Sequence, residues 1–226
     1  MPCLFVTGAH TDVGKTFVAC ALITAARRRG ASAAALKPLV SGFDPQDWGQ
    51  SDPGRLLAAL GLAHTQETLD AISPWRYRAP LAPPMAAALE GRAVDLAEVA
   101  RSCGDWGAAS QADLALIEGV GGVMSPLSRD GTCLDLIARL DLPCLLVGGG
   151  YLGAISHTLT AVEALRARRL APLAVVVSQD GAQDAPDFGE TVSTLARFLP
   201  GLPVIAAPRG ESDWAGALLD LILRGA

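Results

Sequence analysis

A glycine-rich loop between an apolar run and a helical stretch restricts the fold of this chain more than any other segment. The loop reads Gly8-Ala9-His10-Thr11-Asp12-Val13-Gly14-Lys15-Thr16. Residues 3–7 before it are apolar enough for a buried strand, and residues 16–29 have the pattern of a helix that stops at Gly30. Glycines let backbone N–H groups turn inward around a polyphosphate, and a helix N-terminus adds its positive dipole end. The segment therefore predicts a phosphate-binding loop.

Lysine usage supports this interpretation. Of 18 basic residues only Lys15 and Lys37 are lysines, and a planar guanidinium cannot copy the compact charge of an ammonium. Lys15 is predicted to reach the β- and γ-phosphates of a nucleotide, and the Thr16 hydroxyl to bind Mg²⁺. Five residues separate Gly8 from Gly14, one more than in the common G-x-x-x-x-G-K-[ST] spacing. The alternative is an ordinary strand–turn–helix that contains Gly-Lys-Thr by chance.

The rest of the chain alternates short apolar runs with helical stretches. Further strands are predicted at 33–36, 114–117, 144–147, 173–177 and 204–206, a last helix at 214–223, and an irregular loop with four prolines at 73–84. This order predicts an α/β fold with a mostly parallel sheet flanked by helices on both faces, and the phosphate loop makes it P-loop NTPase-like. The 226 residues are long enough to bury one core and are predicted to form a single domain, 1–226.

Composition excludes several classes of protein. Half of the residues are hydrophobic and 18% are charged, which excludes a disordered chain. The net charge of −5 gives a nucleic-acid partner no electrostatic support. Five cysteines without a CxxC pair indicate free thiols in a reducing compartment, and the first residues carry no secretion signal. We therefore expect a cytoplasmic location.

One segment has the length of a membrane span. Residues 142–162 carry no charged side chain over 21 positions. Pro143 and three successive glycines at 148–150 favour a buried strand, a turn and a helix start instead. No membrane association is expected.

Two carboxylates are candidates for the metal site. Glu118 ends the apolar run 114–117, where a carboxylate is costly unless it is paired or bound to metal. It is predicted to act on Mg²⁺ together with Thr16, although a capping or solvated glutamate is the alternative. Asp52 is a further candidate ligand. Its local sequence, Ser51-Asp52-Pro53, favours a helix N-cap at Asp52.

Several segments together resemble the dethiobiotin synthetase family. They are the loop 7–16, Lys37-Pro38-Leu39-Val40-Ser41-Gly42, Ser51-Asp52, Pro80-Leu81-Ala82-Pro83, Glu90-Gly91, Glu118-Gly119-Val120-Gly121-Gly122, Pro126-Leu127, Leu142-Pro143 and 152–157. The likeness runs from residue 3 to about 180 and weakens afterwards. The loop alone is shared by many ATPases, whereas its combination with Lys37-Pro38, Ser41-Gly42 and Glu118-Gly119 is far more selective.

This resemblance implies a reaction and a set of partners. The substrates would be 7,8-diaminopelargonate, CO2 and ATP with Mg²⁺, and the enzyme a homodimer. One amine takes up CO2 as a carbamate, ATP phosphorylates it to a mixed anhydride, and the second amine closes the ring of dethiobiotin. Lys37 and Lys15 would be catalytic. Substrate contacts would come from Thr11, Ser41, Gly153 and Ser156.

The resemblance also implies a nucleotide site with departures from the family pattern. Its residues would be Asp12, Val13, Gly14, Lys15, Thr16, Phe17, Asp52, Glu118, Gly119, Val120, Gly121, Gln179, Asp180, Pro208, Arg209 and Gly210. Ala9-His10 stands where the family usually has Thr-Asp, and Tyr151 where it often has a basic residue. Gln179 replaces an asparagine that meets the base, and Arg209 a tryptophan.

Two other functions remain open from the sequence. A nucleotide-switch ATPase of the partitioning or division-positioning class has this fold, but it carries a second lysine where this chain has Ala9. Another amidoligase could use the same scaffold with a different amine or carboxylate. An inactive family member is disfavoured by the retained Lys15, Lys37 and Glu118.

Overall fold

A six-stranded, all-parallel sheet forms the centre of the protein. A computed structural model describes residues 3–182 and 185–225. The strands of this sheet are β1 (Cys3–Gly8), β2 (Ala33–Leu36), β5 (Leu114–Glu118), β6 (Cys144–Gly148), β7 (Ala174–Ser178) and β8 (Val204–Ala207). Their order across the sheet is β2-β5-β1-β6-β7-β8. Two shorter strands, β3 (Leu39–Ser41) and β4 (Trp75–Tyr77), pair in parallel as a separate small sheet.

Helices cover both faces of the central sheet. They are α1 (Lys15–Arg28), α2 (Asp52–Leu60), α3 (Gln66–Ile72), α4 (Pro83–Leu89), α5 (Leu96–Ala109), α6 (Cys133–Leu140), α7 (Ala154–Ala167), α8 (Phe188–Phe198) and α9 (Asp213–Gly225). Side chains alternate along each strand, so Leu4 and Val6 of β1 pack with α1, α2 and α9, whereas Phe5 packs with α5, α6, α7 and α8. The predicted α/β architecture is confirmed.

The predicted strands of the central sheet agree with the structure to within one residue at each end. The prediction of an irregular loop at 73–84 is wrong in part, because this segment contains β4 and the first turn of α4. A three-residue strand is too short to show an alternating pattern. Pro83 and Pro84 occupy the first turn of α4, where the missing N–H groups would have no helical partner anyway.

The uncharged segment 142–162 forms the predicted strand, glycine turn and helix start, namely β6 and the beginning of α7. In the part of the chain that the structure describes, no helix is both long and apolar enough to cross a bilayer. All five cysteines are free, as expected.

Because the strands are parallel, the predicted site residues lie together at the carboxyl edge of the sheet. The carboxyl ends of parallel strands lie together, and the loops that leave them form a crevice outside the sheet. The loop after β1, Lys37 after β2, Glu118 at the end of β5, Gln179 after β7 and Pro208 after β8 all lie at this edge. The strand order, and not the distance along the chain, therefore decides which of these residues meet.

Candidate nucleotide and substrate site

The loop after β1 turns through two left-handed residues. Asp12 has a φ of 58°, and Gly14, the N-cap of α1, has a φ of 95° and gives the helix no side-chain cap. The first N–H groups of α1 are therefore open to a ligand. A Cβ at Gly14 would lie 2.4 Å from the Ser178 hydroxyl oxygen, so both the conformation and the space require glycine.

Lys15 folds back over this loop. Its side chain is largely buried, with 6% of the residue exposed, and its Nζ donates to the His10 carbonyl at 3.3 Å. Burial lowers the pKa of Lys15, the nearby charge of Lys37 lowers it further, and Glu118 opposes both effects. An ammonium held inside a loop of backbone N–H groups is suited to bind phosphate oxygens.

Lys37 forms the centre of a buried charge cluster. Its Nζ lies 2.6 Å from Glu118 Oε1 and 2.9 Å from Asp52 Oδ2, and it donates to the Gly119 carbonyl at 3.0 Å. Lys37 and Glu118 are each 1% exposed. Burial alone would lower the pKa of Lys37, but the two carboxylates outweigh it and raise this pKa above its usual value. Lys37 is therefore fully charged, and Glu118 is not a capping or solvated glutamate.

Asp52 belongs to this cluster and is not the helix cap. Ser51 is the N-cap of α2, and its hydroxyl accepts from the Gly54 N–H, so the N-cap interpretation of Asp52 was wrong by one residue. Burial would raise the pKa of the Asp52 carboxyl, but Lys37 outweighs it and lowers the value to about 2. Asp52 is therefore an ionised carboxylate that faces the site.

Three oxygens converge beside Lys37. The Thr16 hydroxyl oxygen lies 2.7 Å from both Asp52 Oδ1 and Glu118 Oε1, yet its single proton can serve only one of them. Glu118 Oε2 is buried and has no hydrogen-bond partner among the described residues. Mg²⁺ prefers a few oxygen ligands from the protein and completes its shell with phosphate oxygens and water. The three predicted ligands fit such an ion.

A cavity of about 210 Å³ lies over the loop. Its lining consists of Asp12, Gly14, Lys15, Thr16, Phe17, Asp52, Arg55 and Arg209. Seven of these eight were predicted from the sequence, and Arg55 was missed. Its spacing could have revealed it, because Arg55 lies three residues after Asp52 and therefore on the same side of α2.

Several further residues predicted for the site pack against the core or have no side chain. Val13 is buried in the core, so its side chain is not available to a ligand. A Cβ at Gly119 would lie 2.9 Å from the Phe5 ring, and one at Gly121 would lie 3.8 Å from the Thr11 hydroxyl oxygen. Thr11 therefore meets the Gly119–Gly121 turn, and Val120 packs against the core beside it.

The start of α7 contacts the same loop through aromatic rings. The His10 ring stacks on His157 with 5.5 Å between centroids, and the Tyr151 hydroxyl lies 2.8 Å from His157 Nδ1. Gly153 is the N-cap of α7 with a φ of 95°, and Ser156 is exposed. The contacts of the loop with this segment come from Tyr151 and His157, which flank Gly153 and Ser156 in the chain. Ser41 ends β3, and its side chain makes no hydrogen bond among the described residues.

The predicted base contacts follow β7 and β8. Gln179 Oε1 accepts the backbone N–H of Arg209 at 2.8 Å, and the Arg209 guanidinium lies over the Phe17 ring, 4.1 Å from its centroid. Asp180 accepts from Ala182 in its own loop, and Gly210 has a φ of 82° with open space around it. Arg209 therefore lines the cavity, Gln179 is bonded to it, and Pro208 precedes it in the chain. One oxygen of the Asp180 carboxylate bonds within its own turn.

Comparisons with known proteins agree with this geometry. A family model described as an AAA domain matches residues 3–208. The chain is 54% identical to the ATP-dependent dethiobiotin synthetase of Phenylobacterium zucineum, over 96% of this chain and 94% of the relative. It is 50% identical to that of Caulobacter vibrioides, over 99% of this chain and 100% of the relative.

Solved structures show the same fold at low identity. The MinC:MinD cell division complex of Aquifex aeolicus matches with a TM-score of 0.59 at 14% identity, covering 100% of this chain and 97% of that one. HypB of Helicobacter pylori, solved with nickel, matches with a TM-score of 0.54 at 13% identity, covering 99% and 86%. These likenesses establish the P-loop NTPase fold and no more.

Proposed function

Since this chain belongs to the dethiobiotin synthetase family and is an ATP-dependent ligase of biotin biosynthesis, we propose how its residues make dethiobiotin. The substrates are 7,8-diaminopelargonate, CO2 and ATP, and the products are dethiobiotin, ADP and phosphate. The observation that carries the proposal is the cluster of Lys37, Glu118, Asp52 and Thr16 beside the phosphate loop.

The loop holds the triphosphate. The open N–H groups of α1 and the ammonium of Lys15 bind phosphate oxygens, and Asp12 and Gly14 give the loop its turn. Thr16, Asp52 and Glu118 would hold Mg²⁺, and the ion would supply neutralisation of the phosphate charge. These roles use the three converging oxygens and the unpartnered Glu118 Oε2 described above.

Lys37 stabilises the reacting charge. A carbamate and a triphosphate repel each other, so positive groups must converge where they meet. Lys37 is already charged and desolvated, with its Nζ held by two carboxylates. The Lys37 ammonium lies at the carboxyl end of the sheet beside the phosphate loop, where it stabilises charge on the γ-phosphate and on the carbamate oxygen. Carbamate formation needs only a neutral amine and CO2, so no covalent nucleophile is required.

The substrate is held between the loop and the start of α7. Thr11 and Ser41 hydrogen-bond the amine or carbamate end. Gly153 is the N-cap of α7 and Ser156 lies in its first turn, where open N–H groups favour the carboxylate end. His10 and His157 join the two regions by stacking, which fixes their spacing.

We also propose a homodimer. Leu152, in the turn before α7, is 87% exposed, and Met124, in the loop after β5, is 57% exposed. A Leu152→Asp variant is expected to shift the sedimentation coefficient from dimer to monomer. A parent protein that itself sediments as a monomer would contradict the homodimer.

We further propose that the chain forms a single domain and acts in the cytoplasm. It is proposed to have no nucleic-acid or membrane partner. Both core clusters share one sheet, which supports one domain. Free cysteines are usual in a reducing compartment, and the net charge of −5 disfavours nucleic acid.

The test is product formation from defined substrates. Purified protein with MgATP and bicarbonate should release phosphate and form the cyclic urea only when 7,8-diaminopelargonate is present. Phosphate release that is indifferent to the diamine would contradict the proposal. A Lys37→Met variant should form no dethiobiotin. The control is Arg29→Lys, which changes an exposed residue that pairs with Asp220 away from the site, and it should form dethiobiotin normally.

A further inference from the structure

One arginine lines the cavity over the phosphate loop without a partner for its charge. Arg55 lies there beside Thr16, Phe17 and Asp52. The residue is exposed, and its backbone carbonyl accepts a hydrogen bond from the Cys20 thiol at 3.5 Å. The guanidinium, by contrast, forms no hydrogen bond and no ion pair with any residue that the structure describes. Its donors are therefore available to a ligand in the cavity.

The acidic side chain of α2 is already engaged elsewhere. Asp52 lies three residues before Arg55, on the same side of the helix. Its Oδ2 lies 2.9 Å from Lys37 Nζ, and its Oδ1 accepts from the Thr16 hydroxyl at 2.7 Å. A guanidinium presents five N–H donors in a planar fork that matches phosphate oxygens. Arg55 is thus suited to bind an anion in the cavity and does not close an internal ion pair.

The position of Arg55 along α1 indicates which part of a nucleotide it meets. Thr16 and Phe17 belong to the first turn of α1, and Cys20 lies about one turn further on. Lys37, which is proposed to stabilise charge on the γ-phosphate, is 1% exposed and does not line the cavity. Arg55 therefore lies beside α1, outside the buried charge cluster around Lys37.

We propose that the Arg55 guanidinium binds the α- and β-phosphate oxygens of the nucleotide, which ATP and ADP have in common. This contact rests on the proposed nucleotide site. It strengthens the binding of substrate and product alike and adds nothing in the transition state. Arg55 is thus a nucleotide-binding residue, and its role differs from that of Lys37, whose contact with the γ-phosphate belongs to the reaction step.

The expected effect of removing the guanidinium is a loss of affinity without a loss of turnover. Charge-assisted hydrogen bonds are strong, but an exposed pair is screened by water and salt, so we expect Kd to rise about 5- to 20-fold. The factor should be the same for ADP and for an ATP analogue. At saturating ATP, kcat should not fall.

The experiment measures Arg55→Ala with two nucleotides. Calorimetric titration in the presence of Mg²⁺ gives Kd for ADP and for the non-hydrolysable analogue AMPPNP, and dethiobiotin formation gives KM for ATP and kcat. Equal rises of both Kd values and of KM, with kcat retained, support the proposal. Unchanged Kd values, a loss confined to AMPPNP, or a fall of kcat with KM retained would overturn it.

Salt dependence and a conservative variant separate phosphate binding from a structural role. Exposed charges are screened as the ionic strength rises, so the Kd of the parent protein for ADP should increase with salt more steeply than that of Arg55→Ala. Arg55→Lys keeps a positive charge and should bind ADP more tightly than Arg55→Ala. Salt curves of equal slope, or the same affinity in the two variants, would count against the contact.

Arg101→Ala is the matched control. Arg101 is an exposed arginine in α5, which packs on the opposite face of the sheet from α2, and it does not line the cavity. Its loss should leave both Kd values unchanged. Absence of dethiobiotin with the parent protein would contradict the proposed function, whereas the Kd values would still test the contact of Arg55 with ADP.

Discussion

The two ends of the proposed nucleotide site are built in opposite ways. At the phosphate end, Lys37 and Glu118 are each 1% exposed and bond to each other and to Asp52. At the base end, Arg209 is exposed and is held by Phe17 and by backbone contacts with Gln179. A buried ion that loses its partner is strongly destabilising, whereas an exposed side chain can change at little cost. Few substitutions at the phosphate end therefore leave the protein stable, whereas the residues at the base end can be replaced at little cost in stability.

Replacement of Lys37 should have the largest effect. Lys37→Arg keeps the charge, but the planar group cannot occupy the position of an ammonium between Glu118 and Asp52. Loss of one positioned electrostatic contact lowers kcat by roughly 10²–10³. Steady-state turnover should show this loss, while calorimetry should still detect nucleotide binding. A near-normal kcat would remove Lys37 from the catalytic role.

Glu118→Gln should act on the metal dependence. The change removes one charged ligand, and we expect the Mg²⁺ concentration for half-maximal activity to rise about 10- to 100-fold, in the range seen when metal sites lose support. Lys37 keeps Asp52 as a partner, so the protein should remain folded. Activity against Mg²⁺ concentration and a thermal melt check both points. A collapse of Tm with unchanged Mg²⁺ dependence would make Glu118 structural.

At the base end, Arg209→Ala should weaken nucleotide binding moderately. Stacking of a base on a planar side chain contributes about 1–3 kcal/mol, so Kd should rise at least about fivefold. Tm should stay within about a degree, because the residue is exposed. Calorimetry and a melt of the same sample measure both. A large fall in Tm would contradict the contrast between the two ends.

Removal of a helix cap away from the site should have the smallest effect on the protein. Thr132 and Asp135 form a reciprocal capping box at the start of α6. Thr132→Ala should lower the free energy of unfolding by about 1 kcal/mol, as measured by urea denaturation. Turnover should not change, since neither residue lines the cavity over the loop. A loss of activity in a folded variant would show that α6 also serves the site.

Local signals explain what the sequence predicted well. The loop, the strands of the central sheet and the Glu118 position all depend on short runs with strong turn or burial signals. The phosphate end could be predicted because Lys37 comes directly after β2, Glu118 ends β5, and parallel strands end at one edge. Their mutual distance of 2.6 Å depends on β5 lying between β2 and β1, which no local pattern reveals.

Long-range contacts explain what was missed. The pairing of β3 with β4 joins three-residue strands that are more than 30 residues apart in the chain. The helix cap lies at Ser51, one residue before the predicted position. The carboxylate of Asp52 instead accepts a hydrogen bond from Thr16, 36 positions earlier in the chain. The stack of His10 on His157 joins residues 147 positions apart. Such contacts are set by the tertiary structure and leave no periodic trace in the sequence.

The burial of both lysines has a practical consequence. Lys15 is 6% exposed and Lys37 is 1% exposed, and the chain contains no other lysine. The protein surface therefore presents no side-chain primary amine to acylating dyes or amine-reactive cross-linkers. Reaction of Lys15 with such a reagent would report opening of the phosphate loop, and protection by a bound nucleotide would give a simple occupancy assay by mass spectrometry.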